Sequence, residues 1–205
     1  MRQTIEADVR VVPANEATFG DIQTVLGSAG YAHKCQCQRF RLPGREWWEA
    51  WQSGPAWTWP QRLRDQTRCG DPDAGATSGL VAYLGDEPVG WCAVAPRSEY
   101  VRLGQAAWKG RPEDRDDDGV WAAVCFITRT GYRYRGVSRA LARAAVAFAR
   151  ARGARALEGY PMITTPGKEV TWGELHVGSR SIFEAAGLTE IGHPSPRRVV
   201  MRIEF

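Results

Sequence analysis

No stretch of this 205-residue chain approaches eighteen uninterrupted apolar residues, so a membrane-spanning helix is not expected. Residues 1–13 carry Glu6 and Asp8 where a secretory signal would be apolar, and the expectation is a soluble, cytoplasmic protein. Cysteine is scarce and odd in number: there are five, and Cys92 and Cys125 sit inside strand-like apolar runs, where a reduced thiol behaves as a small hydrophobe. That argues against a disulfide framework. Net charge is small, +4 from 27 Lys and Arg against 23 Asp and Glu, with no concentrated basic tail, so composition does not demand a nucleic-acid partner. No internal repeat or low-complexity linker divides the chain, and a single domain over residues 1–205 is expected. With 43% apolar and 24% charged residues, it can bury one core.

Apolar periodicity orders the elements. Residues 9–12 predict a first short strand, and Asn15 or Thr18 is placed to cap a helix that buries Phe19, Ile22, Val25 and Leu26 and ends at Gly27. Residues 31–78 form a tryptophan-rich insertion of short helices and loops, with Trp47, Trp48, Trp51, Trp57 and Trp59 crowded among Arg, Gln, Gly and Pro. It is expected to wall the substrate side. Residues 79–84 and 89–95 read as a hairpin, and residues 98–119 as a polar connection ending in Asp116, Asp117 and Asp118. Residues 120–128 are almost all apolar, as in a central strand covered on both faces. Beyond them, Val137, Ala140, Leu141, Ala144, Ala145 and Phe148 recur at helical spacing until Gly153. A strand over 154–160, a short helix over 181–186 and a terminal strand over 199–205 complete a mixed α/β order.

The chemistry is concentrated between the central strand and the long helix, in Arg133-Tyr134-Arg135-Gly136-Val137-Ser138. A glycine and a small residue let backbone N–H groups approach an anion, and the helix N-terminus adds partial positive charge. The glycines of G-x-G-x-x-G and of G-x-x-x-x-G-K-[ST] are absent, which points away from dinucleotide and nucleoside-triphosphate loops while retaining the logic of a diphosphate site.

R-x-x-G-x-S after a buried strand resembles the R/Q-x-x-G-x-G/A motif of the GNAT superfamily of acyl-CoA N-acyltransferases, with Ser138 where Gly or Ala is usual. The likeness runs from about Gly79 to the C-terminus, and residues 1–78 match loosely. Val89-Gly90-Trp91-Cys92, Pro96-Arg97, Val120-Trp121, Cys125-Phe126, Glu158-Gly159-Tyr160-Pro161 and Phe183-Glu184-Ala185-Ala186-Gly187-Leu188 are similar to a bacterial subgroup with few assigned substrates. The resemblance implies a mostly antiparallel sheet with one splayed parallel strand pair and helices on both faces. It also implies acetyl-CoA as acyl donor and a small-molecule amine as acceptor, with no nucleic acid or membrane partner; a homodimer is compatible with it. The acyl-pantetheine arm would lie along the central strand at Phe126, Ile127 and Thr128, with the Ile127 N–H facing the developing oxyanion. The pyrophosphate would sit on the backbone around Tyr134, Arg135, Gly136, Val137 and Ser138, joined by the Arg133, Arg135 or Arg139 side chains.

Acyl transfer to an amine also needs a base for the ammonium proton and an acid for the leaving thiolate. In the superfamily that acid is commonly a tyrosine in the short helix, and here Phe183 occupies the position. His176, seven residues earlier, and Ser179 are the replacements on offer, with bulk water as the alternative. Glu158 is placed to take the proton directly or through water, or else to pair with a neighbouring arginine, and Tyr160 and Glu99 are weaker candidates. His33, Cys35, Cys37 and Cys69 have poor spacing for zinc, and no metal is expected. The tryptophan cluster is either an acceptor pocket or ordinary packing. The competing functions are a non-catalytic acyl-CoA-binding regulatory module, motivated by Phe183, and nucleic-acid binding through residues 39–68, ranked below both.

Overall fold

The computed structural model describes residues 8–53, 58–104, 111, 116–163 and 175–205; Glu6 and Trp57 lie outside them. Seven strands form one sheet: β1 (Val9–Pro13), β2 (Leu80–Leu84), β3 (Glu87–Pro96), β4 (Val120–Thr128), β5 (Ala156–Gly159), β6 (Thr189–Ser195) and β7 (Arg198–Glu204), in the order β1-β2-β3-β4-β5-β7-β6. Every neighbouring pair is antiparallel except β4 and β5. Among the described residues the α-helices that bear on the site are α1 (Phe19–Gly27), α2 (Gly30–Cys35), α3 (Gly44–Ser53), α4 (Thr58–Thr67), α5 (Val137–Ala151) and α6 (Arg180–Glu184).

Alternation along β3 builds a core on each face. Trp91, Ala93 and Ala95 pack with Ile22, Val25 and Leu26 of α1, whereas Cys92 and Val94 pack with Val137, Leu141, Ala145 and Phe148 of α5. The approach of α5 depends on Gly90, where a Cβ would come within 2.5 Å of Val137 Cγ1 and 3.0 Å of Leu141 Cδ1. Helix α1 starts at Thr18, whose hydroxyl accepts the Asp21 N–H while the Asp21 carboxylate accepts the Thr18 N–H, a reciprocal cap of about 1 kcal/mol. Asn15, the other expected cap, is buried and donates to the Asp71 and Pro72 carbonyls.

On β4 the alternation breaks at Val124. The register jumps from Val94↔Ala123 to Ala93↔Cys125, and Val124 and the adjacent Cys125 both enter the α1-side core. This is a bulge. Pairing of β4 with β5 stops just before it, at Ala123↔Gly159, so the C-terminal half of β4 runs on to Thr128 without β5. The splayed parallel pair is therefore present, and the mixed α/β architecture stands.

Strand β6 has no counterpart in the sequence reading. It is an edge strand containing Gly192 and Pro194 with Ile191 exposed, and it presents no apolar alternation for a pattern argument to detect. Among the described residues no helix is long and apolar enough to cross a membrane.

Candidate functional site

Three residues in the left-handed region, Gly131 (φ +90°), Tyr134 (φ +64°) and Gly136 (φ +81°), reverse the chain between β4 and α5. Arg129 N–H donates to the Val89 carbonyl at 2.8 Å and anchors the start of the turn. Gly136 is the N-cap of α5 and contributes no capping side chain. The first intrahelical bond runs from Ala140 N–H to the Gly136 carbonyl at 3.0 Å, so the preceding N–H groups of the turn find no acceptor within the helix. They open onto a cavity of about 690 Å³ walled by Arg133, Ser138 and Arg139 on one side and by Gly178, Ser179 and Ser181 on the other. Among the described residues no carboxylate lines it. Ser138 Oγ lies 3.0 Å from Thr128 Oγ1, pinning the helix start to the strand end.

Most of the sequence-predicted turn residues meet at this cavity: Phe126, Thr128, Arg133, Tyr134, Gly136, Val137, Ser138 and Arg139. Arg135 instead packs its guanidinium over the Tyr132 ring at 5.3 Å. Ile127 is buried against the α1 face, and because Arg129 N–H points to β3, strand alternation turns the Ile127 N–H to β3 as well. The same alternation turns the Phe126 and Thr128 N–H groups toward the splay, and Phe126 N–H is engaged by the chain itself, donating to the His176 carbonyl at 2.6 Å. Met162 bridges in parallel to Ser179, so residues 176–179 cross the opening between β4 and the continuation of β5. The buried His176 ring stacks on Phe40 at 5.9 Å. Ser179 lines the large cavity and lies 3.0 Å, Oγ to Oγ, from Ser181.

Of the two roles expected for Glu158, the geometry supports the ion pair. The carboxylate has no solvent exposure and receives Arg97 Nη1 at 3.2 Å, Arg111 Nη2 at 2.5 Å, Arg202 Nη1 at 3.0 Å and Tyr160 Oη at 2.6 Å. Burial pushes its pKa up, but hydrogen bonds from Arg111 and Tyr160 and the charges of Arg111 and Arg97 outweigh this and hold it below the ordinary value. A carboxylate so stabilised is a weak proton acceptor. Burial, then Glu158, push the Tyr160 phenol well above its usual range. The cross-strand register places Arg202 opposite Glu158, and Arg202 is itself buried in the terminal strand. Glu99 is engaged by Arg41.

Phe183 is 1% exposed and packs edge-on to Phe126, with centroids 5.5 Å apart. Its ring lies where a Cβ on Gly159 would come within 2.3 Å and one on Gly178 within 2.9 Å. The aspartate triplet is at the opposite end of β4 from the splay: Asp117 pairs with Arg155 and Asp118 with Ser98. Trp47 and Trp59 are buried and stacked 4.8 Å apart, as packing predicts, while Trp48 and Trp51 line an open cavity. Cys37 Sγ accepts from Trp91 Nε1 at 3.0 Å, and among the described residues no three His, Cys, Asp or Glu side chains gather as for a metal ion.

Residues 41–160 match the family described as "Acetyltransferase (GNAT) family". Among solved structures, a protein of Pyrococcus horikoshii OT3 is 15% identical, with 97% of this chain and 99% of that one covered and a TM-score of 0.50. PaiA N-acetyltransferase from Thermoplasma acidophilum, in complex with coenzyme A, is 10% identical over 97% and 99% of the two chains, TM-score 0.51. An N-acetyltransferase from Staphylococcus aureus Mu50 is 10% identical over 96% and 98%, TM-score 0.51. At these identities the likeness is one of fold. No curated protein matches the chain in sequence.

Proposed function

Because the chain belongs to the GNAT acetyltransferase family, we propose that it transfers an acetyl or small acyl group from acyl-CoA to a primary amine of a small molecule, by direct attack in a ternary complex. The observation that carries this reading is the helix start at Gly136, left-handed and without a capping side chain, opening onto a cavity with arginines and, among the described residues, no carboxylate in its walls. Those features fit the diphosphate of coenzyme A. The N–H groups at the start of α5 would hold its oxygens, with Arg133 and Arg139 adding charge-assisted contacts.

A bound thioester supplies an activated acyl carbon and a thiolate leaving group. The chain's part is to hold it in line with the amine and to manage the protons. Thr128 and Phe126 offer the β4 edge to the pantetheine arm. The Phe126 N–H, exchanging its bond to His176, is the backbone donor best directed at the developing oxyanion. Ser179, on the wall of the same cavity, is the candidate closest in placement to protonate the thiolate through its hydroxyl or a water. The His176 imidazole and Tyr160 flank the acceptor side. Glu158 is left out of the proton path, since its arginine partners keep it a poor base.

The buried Phe183, which removes the usual acid, favours a second reading, an acyl-CoA-binding module without turnover. Two measurements decide. Gly136→Glu brings a carboxylate and a Cβ to a left-handed position, and should weaken acetyl-CoA binding about 100-fold, or roughly 2.8 kcal/mol, in a variant whose circular dichroism is unchanged. Unaltered affinity would remove the diphosphate assignment. Steady thiol release with any amine would exclude the binding-only reading.

A further inference from the structure

On the acceptor side of residues 176–178 a cavity of about 180 Å³ reaches the bulged Val124 and Tyr160. Its polar wall is arginine: Arg39, Arg102 and Arg198. A second, open cavity of about 490 Å³ shares Arg39 and Arg102 and adds Tyr31, Trp48 and Trp51. Among the described residues no Asp or Glu lines either space.

Arg39 and Arg102 differ from the other arginines packed near the sheet. Arg41, Arg97, Arg129 and Arg155 each reach a carboxylate. Arg39 Nη1 donates to Tyr31 Oη at 2.9 Å, and Arg102 Nη1 to the Arg39 carbonyl at 3.4 Å. Among the described residues neither meets an acidic side chain. The two are neighbours of like charge: burial, and then Arg39, lower the pKa of Arg102. Placing two guanidinium groups side by side in a half-buried wall is unfavourable without an anion between them. Their forked donors suit a carboxylate or phosphate.

We infer that the acceptor is an amine that also bears an anionic group, held by Arg39 and Arg102 where the two cavities meet, so that its amine faces β4 at Val124 and its apolar body lies toward Trp48 and Trp51. This rests on the acyltransfer reading above. It narrows the acceptor from amines in general to amino acids, their conjugates or aminophosphates, and it disfavours polyamines, whose charge the arginines repel.

The test uses matched pairs that differ only in the anion: L-tryptophan with tryptamine, L-phenylalanine with phenethylamine, and O-phosphoethanolamine with ethanolamine. Thiol release at fixed acetyl-CoA gives kcat/KM, and quenching of tryptophan fluorescence gives Kd whether or not turnover occurs. The anionic member should be favoured at least about tenfold, equal to 1.4 kcal/mol, and the carboxylate and phosphate pairs tell which anion is meant. Arg102→Gln and Arg39→Gln should bring the ratio toward one with acetyl-CoA affinity unchanged, and Arg102→Lys should retain part of it. Equal or better binding and turnover of the anion-free amines would overturn the inference and leave the acyltransferase reading intact. Absence of acetyl-CoA binding together with absence of thiol release would instead overturn that reading, and this one with it.

Discussion

Replacing Glu158 by glutamine separates a structural carboxylate from a catalytic one. The native group is fully buried, and its oxygens receive Arg97, Arg111, Arg202 and Tyr160. Removing one partner from a buried ionic cluster costs about 3–5 kcal/mol. For a chain of this size a loss of 1 kcal/mol lowers Tm by about 2–4 °C, so thermal melts followed by circular dichroism should fall by roughly 6–20 °C. The pH dependence gives a second check. The folded pKa is depressed, so the stability that Glu158 contributes is fully present above the unfolded value of about 4.3 and is lost as pH falls through the folded value. The gap between wild type and variant should be constant at neutral pH and close in acid. Below its melting temperature, the variant should keep the alkaline side of the wild-type pH–rate profile, because the carboxylate is already ionised across that range. A variant that melts within about 1 °C of wild type but loses turnover, with the pH limb for amine deprotonation displaced, would make Glu158 the base and refute this argument.

Gly90→Ala pushes a methyl into Val137 and Leu141 and should cost about 1–3 kcal/mol in urea unfolding; an unchanged midpoint would show that α5 can shift freely. Tyr160→Phe removes a hydrogen bond to a charged group and should destabilise by about 1.5–3 kcal/mol without moving the pH–rate limbs, since the phenol does not ionise in the working range. Cys35, Cys37, Cys92 and Cys125 are buried and Cys69 is half-buried, so a bulky disulfide reagent should titrate a single thiol in the native protein and five after unfolding. More than one fast thiol in the native state would contradict the packing around Trp91.

The strand–turn–helix over residues 120–153 was legible because its signals are local: an unbroken apolar run, a glycine and a helical repeat. The hairpin, the Thr18 cap and the two-faced core were legible for the same reason. What escaped is assembled from distant pieces. Glu158 draws in residues 97, 111 and 202, and no periodicity links them. Arg39 and Arg102 come from short 3-10 turns on either side of the β2–β3 hairpin. The bulge at Val124 decides which N–H groups face the splay, and an apolar run shows no trace of it. Hence the Ile127 N–H faces β3 while the Phe126 N–H faces the splay, and residues 176–179 cross a gap that the sequence reading left open.

The ring of Phe183 has a historical consequence. It fits only because Gly159 on β5 and Gly178 before α6 both lack a Cβ. A larger residue at either position requires a smaller one at 183, and a bulkier side chain at 183 meets two backbones that cannot retreat. These three positions are therefore constrained to change together, since residues in contact do not vary independently. A hydroxyl added to this ring would have to find room between two backbones already in contact with it, so a phenol at 183 calls for movement of β5 or of the segment before α6.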